Sequence, residues 1–176
     1  REGQNCILLY SGSNSMNTEA EVDACLENFG AGDWLLLQNE INLIPYIIER
    51  AYDRGMKIVF NPSPITEDIK NYPIEKVSLL ILNEIEGAAL SDEQSDNKVL
   101  DKLRALYKDT AVLLTLGKNG AVYCDGDTRV SHGIFDTVVV DSTAAGDTMM
   151  GYFVASLSKG IDPAEALRIA SKASSI

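Results

Sequence analysis

Two carboxylates bracket a stretch with almost no side chain to pack. Asp141 and Asp147 enclose Ser142, Thr143, Ala144, Ala145 and Gly146 within VVVDSTAAGDTMMGYF, residues 138–153. Small residues let backbone approach a ligand, and a helix starting here would present N–H groups with no intrahelical acceptor at the positive end of its dipole. Such a turn binds phosphate. A carboxylate beside an anion site can act as general base for an attacking hydroxyl. The same residues also fit a plainer role, in which Asp147 or Thr148 caps the helix and the alanines serve close packing.

Other polar residues follow apolar runs. Gln38-Asn39-Glu40 follows one, Asn61-Pro62-Ser63-Pro64 the next, Asn83 with Glu86 a third, and Thr115-Leu116-Gly117-Lys118-Asn119-Gly120 a fourth. Each alone is what a sheet needs for its turns; together they describe one polar edge. Lys118 can reach a phosphate or remain solvated. No G-x-x-x-x-G-K-[ST] loop is present, which disfavours a P-loop kinase. The single histidine, His132, has no carboxylate or cysteine neighbours in sequence and reads as surface structure.

These residues need strands that end together. NCILLY, WLLLQ, KIVFN, VSLLILN, AVLLTLG and TVVVD are short apolar runs of the kind covered on both faces. Helical patterns lie between them. Thr18 reads as an N-cap with Glu21 as its capping-box partner and Gly30 past the last turn. Leu43, Ile47, Ile48 and Ala51 form a helical face closed by Gly55, and a short helix is expected from Glu84 to about Leu90. Val99, Leu103, Leu106 and Tyr107 form the apolar face of another helix. AVYCDG and TRVSHG predict an antiparallel hairpin around Asp125-Gly126-Asp127. The last two helices end at Gly160 and begin at Asp162-Pro163. Strands alternating with crossover helices imply an α/β fold in three layers, a mostly parallel sheet with helices on both faces and ligands beyond the carboxyl ends of the strands.

Composition narrows the partners. The 176 residues carry 26 acidic and 15 basic side chains, a net charge of −11, which repels nucleic acid and anionic lipid in the absence of a basic patch. Cys6, Cys25 and Cys124 have neither metal-ligand nor disulfide-scaffold spacing, and no apolar run approaches the roughly 18 residues of a membrane span. A reduced, cytoplasmic protein with no membrane or nucleic-acid partner is the expectation.

The motifs resemble, in order, those of the ribokinase-like (PfkB-type) carbohydrate kinases, closest to the ribokinase branch. DSTAAGDTMMG is similar to the signature D-T-x-[GA]-A-G-D-x-F-x-G, departing at Ser142 and Met149. YSGSNSMNTEAEVD, LLLQNEI, FNPSPI, LNEIE and TLGKNGAVY resemble the family's S-G-A-N, L-x-Q-x-E-I, N-P-A-P, N-x-x-E and T-L-G-x-x-G segments.

The resemblance implies a three-layer α/β/α ribokinase-like (Rossmann-like) domain over residues 1–176, incomplete at both ends, with the sugar-gripping lid region and the last helices and strand absent. It implies ATP and Mg2+ as cofactors and the hydroxymethyl group of a sugar such as ribose as acceptor. Asp147 then resembles the general base that meets the sugar, and the N–H groups of Ala145, Gly146 and Asp147 an anion hole. Asn83, Thr115, Gly117, Gly120 and Ala144 resemble nucleotide-binding residues, and Asn83 with Glu86 the pair that positions Mg2+. Glu40 matches a sugar contact. Asp141 and the Thr143 carbonyl resemble half of a K+ site. Kinases of nucleosides or vitamin-like hydroxymethyl compounds share the signature, and a non-catalytic nucleotide-binding or scaffold domain is the alternative outside enzymes. A homodimer of the full-length protein is compatible with the resemblance, and these 176 residues alone are expected to be inactive.

Overall fold

A computed structural model describes residues 10–137 and 144–175. The expected strands NCILLY and TVVVD fall largely or wholly outside these residues. The six described strands run β1 (Trp34–Gln38), β2 (Lys57–Asn61), β3 (Leu79–Asn83), β4 (Ala111–Thr115), β5 (Ala121–Asp125) and β6 (Thr128–His132), and they lie in the sheet in that order. β1 to β4 are parallel; β5 and β6 are antiparallel and form the expected hairpin, with Gly126 and Asp127 between Asp125 and Thr128. The α/β architecture predicted from the alternation is therefore present.

Alternation along each strand sorts side chains between two cores. Leu35, Leu37, Ile58, Phe60, Leu80, Leu82, Val112 and Leu114 face α1 (Glu19–Leu26), α2 (Ile44–Asp53), α3 (Glu84–Ser91) and α4 (Asp96–Leu106). Val59, Leu79, Ile81, Ala111, Leu113 and Tyr123 face α5 (Ala145–Ser158) and α6 (Pro163–Ala173), where Phe153 and Leu167 are fully buried. That makes three layers. No helix among the described residues is long and apolar enough to cross a membrane.

Local signals set most boundaries. Thr18 and Glu21 form the expected capping box on α1, and Asp162 caps α6 ahead of Pro163. Gly55 and Gly160 take positive φ and close α2 and α5, each with paired bonds from the two residues after the cap back into the last turn, as at Gly55 N–H to Tyr52 O (2.8 Å) and Met56 N–H to Ala51 O (3.1 Å).

Two expectations fail. Gly30 does not close α1, which stops at Leu26; its N–H instead donates to Asp33 Oδ2 at 2.9 Å, tying the loop to the start of β1. Leu106 is half exposed: the buried arc of α4 runs from Val99 through Leu103 to Leu100, and at about 3.6 residues per turn Leu106 falls just outside it, beyond Val99.

Candidate active site

The last residues of the four parallel strands are Gln38, Asn61, Asn83 and Thr115. Gln38 is paired in register with Asn61, and Asn83 with Thr115. All four share the strand parity of Val59, Ile81 and Leu113, so they project on the α5 side of the sheet. A polar row thus ends the apolar face on which α5 lies.

α5 brings Asp147 to that row. Its N-cap is Ala144, at φ 61° and ψ 10°, with no side-chain cap, and Asp147 occupies the third helical position, exposed. Neither Asp147 nor Thr148 is the N-cap, which corrects that part of the plainer reading; Asp147 stands instead as an acidic residue of the first turn, beside the positive end of the helix dipole. A non-glycine residue in the left-handed region costs about 1 kcal/mol, a strain of the kind concentrated at ligand-binding turns. The N–H groups of Ala145, Gly146 and Asp147 donate to no described residue, and the first that does is Thr148 N–H, to Ala144 O at 2.8 Å. An anion placed against this first turn would meet those donors and the helix dipole.

The cleft between the polar row and α5 has a volume of about 150 Å³. Gln38, Asn61, Asn83, Glu86, Thr115, Gly146 and Asp147 line it, with Met150 and Ile81 below. Small-molecule pockets usually span about 300–1,000 Å³, so this one has room for a small group rather than a whole drug-sized ligand. A larger groove of about 260 Å³, walled by Ile65, Ile69 and Leu90 with Thr66, Glu67 and Lys70, contains none of the predicted residues.

Asn83 and Glu86 start α3 as a capping box: Asn83 Oδ1 accepts from Glu86 N–H and Glu86 Oε2 accepts from Asn83 N–H, both at 2.9 Å. Glu86 is only 5% exposed, yet it lines the cleft. No group of three His, Cys, Asp or Glu among the described residues could hold a metal. Magnesium does not need one; it keeps several waters and takes one or two carboxylates plus substrate phosphates. The Glu86 carboxylate, with the Asn83 side chain beside it, fits that demand.

The remaining predicted residues divide. Thr115 lines the cleft, its hydroxyl donating to Leu82 O at 3.4 Å. Gly117 and Gly120 do not. Gly117 (φ 48°) opens a single 3-10 turn, and Gly120 (φ 88°) is where the chain passes so close to the His132-Gly133 backbone that a Cβ would overlap it. Glu40 is exposed in the turn after β1 and does not line the cleft. Asp141 and Thr143 lie outside the described residues. Gln38 and Asn61 received no role from the sequence, although each ends an apolar strand at the parity that faces α5. That parity was the available signal.

A mostly parallel sheet with a polar cleft and a helix start at its strand ends defines an open α/β protein of the class in which ligands bind beyond the carboxyl ends of the strands. More narrowly, the chain belongs to the pfkB family of carbohydrate kinases, whose family model matches residues 2–176. It is 33% identical over 183 residues to the ribokinase of Staphylococcus aureus (99% of this chain, 60% of that protein). It is 32% identical over 177 residues to the ribokinase of Bacillus subtilis (99% and 58%). Among solved structures, ribokinase from Thermotoga maritima superposes with a TM-score of 0.77 at 29% identity (99% of this chain, 59% of that one). Ribokinase from Cryptococcus neoformans in complex with ADP gives 0.78 at 26% (99% and 61%). The chain spans about three-fifths of the length of these relatives.

Proposed function

We propose that the full-length protein carrying this chain is an ATP-dependent sugar kinase, moving the γ-phosphate of ATP to a hydroxymethyl group of a sugar such as ribose. The observation that carries the reading is the convergence of Asp147, the start of α5 and the Asn83–Glu86 pair on one cleft at the ends of parallel strands. The ADP-bound relative supports the nucleotide, and the two ribokinases of about one-third identity support the sugar.

In this reading Asp147 accepts the hydroxyl proton as the oxygen attacks in line. The N–H groups of Ala145, Gly146 and Asp147 then face the charge that builds on the transferring phosphoryl group, where preorganised donors are typically worth about 3 kcal/mol each. Mg2+ would be held by Glu86 and Asn83 through its waters, where it would neutralise phosphate charge. Ala144, Thr115, Gly117 and Gly120 shape the nucleotide side, Glu40 meets the sugar, and Asp141 with the Thr143 carbonyl contributes to a K+ site. The matched relatives are longer, so the rest of the sugar grip is sought outside these 176 residues, and the 176 residues alone are expected not to turn over. The protein is read as cytoplasmic, and its homodimerisation is left to sizing of the full-length product.

The deciding experiment is a panel of sugars, nucleosides and vitamin-like alcohols with ATP and Mg2+, with and without K+, on the full-length protein and its Asp147→Asn variant. A pentose is expected to be phosphorylated, and the variant to lose at least about a hundredfold in kcat, the usual share of a general base. Phosphorylation unaffected by Asp147→Asn would remove the general-base assignment, and no phosphorylation of any acceptor would leave a nucleotide-binding or scaffold role.

A further inference from the structure

One polar contact in the cleft joins residues 109 positions apart: Gln38 Nε2 donates to Asp147 Oδ1 at 3.4 Å. Its direction is set from the neighbouring strands. Asn61 Nδ2 donates to the backbone carbonyl of Ile81 at 2.8 Å, and a carbonyl can only accept. The Asn61 amide must therefore turn its oxygen toward Gln38. That oxygen also only accepts, so Gln38 must present its NH2 group, whose nitrogen lies 3.3 Å from Asn61 Oδ1. An NH2 carries two hydrogens; with one committed to Asn61, the other is aimed at Asp147. Among the described residues, no other side chain hydrogen-bonds the Asp147 carboxylate.

We propose that Gln38 is a positioning residue for Asp147: its amide, oriented by Asn61, holds Oδ1 and leaves Oδ2 to take the proton from the acceptor hydroxyl. This rests on the general-base reading above. The bond is long, as catalytic hydrogen bonds often are before substrate arrives, and closure on substrate shortens it. A carboxylate at the start of an exposed first turn otherwise has several rotamers of similar energy, and a fixed donor selects one. The relay runs from the backbone of β3 through the ends of β2 and β1 to α5, so the sheet itself sets the direction of the base.

The test uses the full-length protein with Gln38→Met, which keeps length and volume without the donor, Asn61→Leu, and each combined with Asp147→Asn. Gln38→Met is expected to lower kcat about tenfold, the scale of one hydrogen bond to a charged group, with KM for ATP and sugar within about twofold. Asn61→Leu is expected to lower kcat less, in the same direction. In the Asp147→Asn background Gln38→Met is expected to have no further effect, because it acts through Asp147. An unchanged kcat in folded Gln38→Met, an equal fall in both backgrounds, or a loss confined to KM overturns the proposal. A second readout does not need activity. The side-chain amide signal of Gln38, assigned by its absence in Gln38→Met, is expected to shift on Asp147→Ala. If no acceptor is phosphorylated the functional reading fails, and this signal alone decides the contact: an unmoved signal overturns it.

Discussion

Asn83 and Glu86 hold each other across the start of α3 by two reciprocal hydrogen bonds of 2.9 Å, and the same two residues line the cleft together with Asp147. The N-x-x-E spacing is thus a helix-start device and a candidate magnesium site at once. The bond from Asn83 N–H occupies Glu86 Oε2, and Oε1 is left for the cleft side. Local capping fixes one carboxylate oxygen within a single helical turn, which is why so short a motif can orient it.

The two roles separate by substitution. Glu86→Gln keeps an acceptor for Asn83 N–H, so its melting temperature is expected to stay near that of the wild type while the Mg2+ concentration for half-maximal activity rises about tenfold or more. Glu86→Ala loses the box as well and is expected to cost about 1 kcal/mol of stability. Melting curves and a Mg2+ titration of both variants check this, and an unaltered Mg2+ requirement in Glu86→Gln would show that Glu86 only caps.

Gly117 and Gly120 are expected to part company. At Gly120 a Cβ would overlap the His132 carbonyl oxygen and the Gly133 Cα, and φ 88° with ψ −135° is a region reserved for glycine. Gly120→Ala is expected to destabilise by about 2–4 kcal/mol, with the β5–β6 hairpin displaced. Gly117 is left-handed with open space around it, the nearest atom being Glu84 Oε2 at 3.9 Å, so Gly117→Ala is expected to cost about 1 kcal/mol. Denaturant unfolding of both variants measures the difference; equal losses would mean that backbone contact at Gly120 does not matter.

Ala144 caps α5 from the left-handed region, at φ 61°. Alanine to glycine normally loosens a chain, but here glycine removes a steric penalty of about 1 kcal/mol. Ala144→Gly is therefore expected to leave the melting temperature unchanged or raised. A clear fall would show that the Ala144 methyl group packs usefully and that strain is not stored at this turn.

Away from the cleft, Asp23 joins α1 to α2. Arg50 Nε donates to its Oδ1 at 2.7 Å and Tyr46 OH to its Oδ2 at 3.0 Å, and the Arg50 bond chiefly holds the Asp23 carboxyl below the usual carboxylate range. Because the folded state depresses this pKa, the stabilisation is complete above the unfolded value near 4 and fades as pH falls through the lower, folded one. Asp23→Asn is expected to melt below the wild type at pH 7, with the gap closing below about pH 4. A gap that stays constant with pH would show that the carboxylate charge is not involved.

How much was legible depended on the range of the cause. Capping signals at Thr18, Asp162, Gly55 and Gly160 act within one helical turn, and each sits where the sequence placed it. Gly30 misled because α1 stopped three residues before its last apolar signal, and Leu106 because periodicity gives a stripe but not where the edge of its buried arc falls.

By itself the sequence determined the alternation of strands and helices, the polar residue at the end of each parallel strand and the small-residue helix start before Asp147, since all of these follow from neighbours along the chain. Only the tertiary structure decided which of them meet. Strand parity and register turn Gln38, Asn61, Asn83 and Thr115 toward α5, burial sets Glu86 at the cleft wall, and the close pass of the His132-Gly133 backbone leaves no room for a side chain at Gly120. Contacts between residues as far apart as Gln38 and Asp147 depend on how the sheet and α5 dock, and no local spacing encodes that.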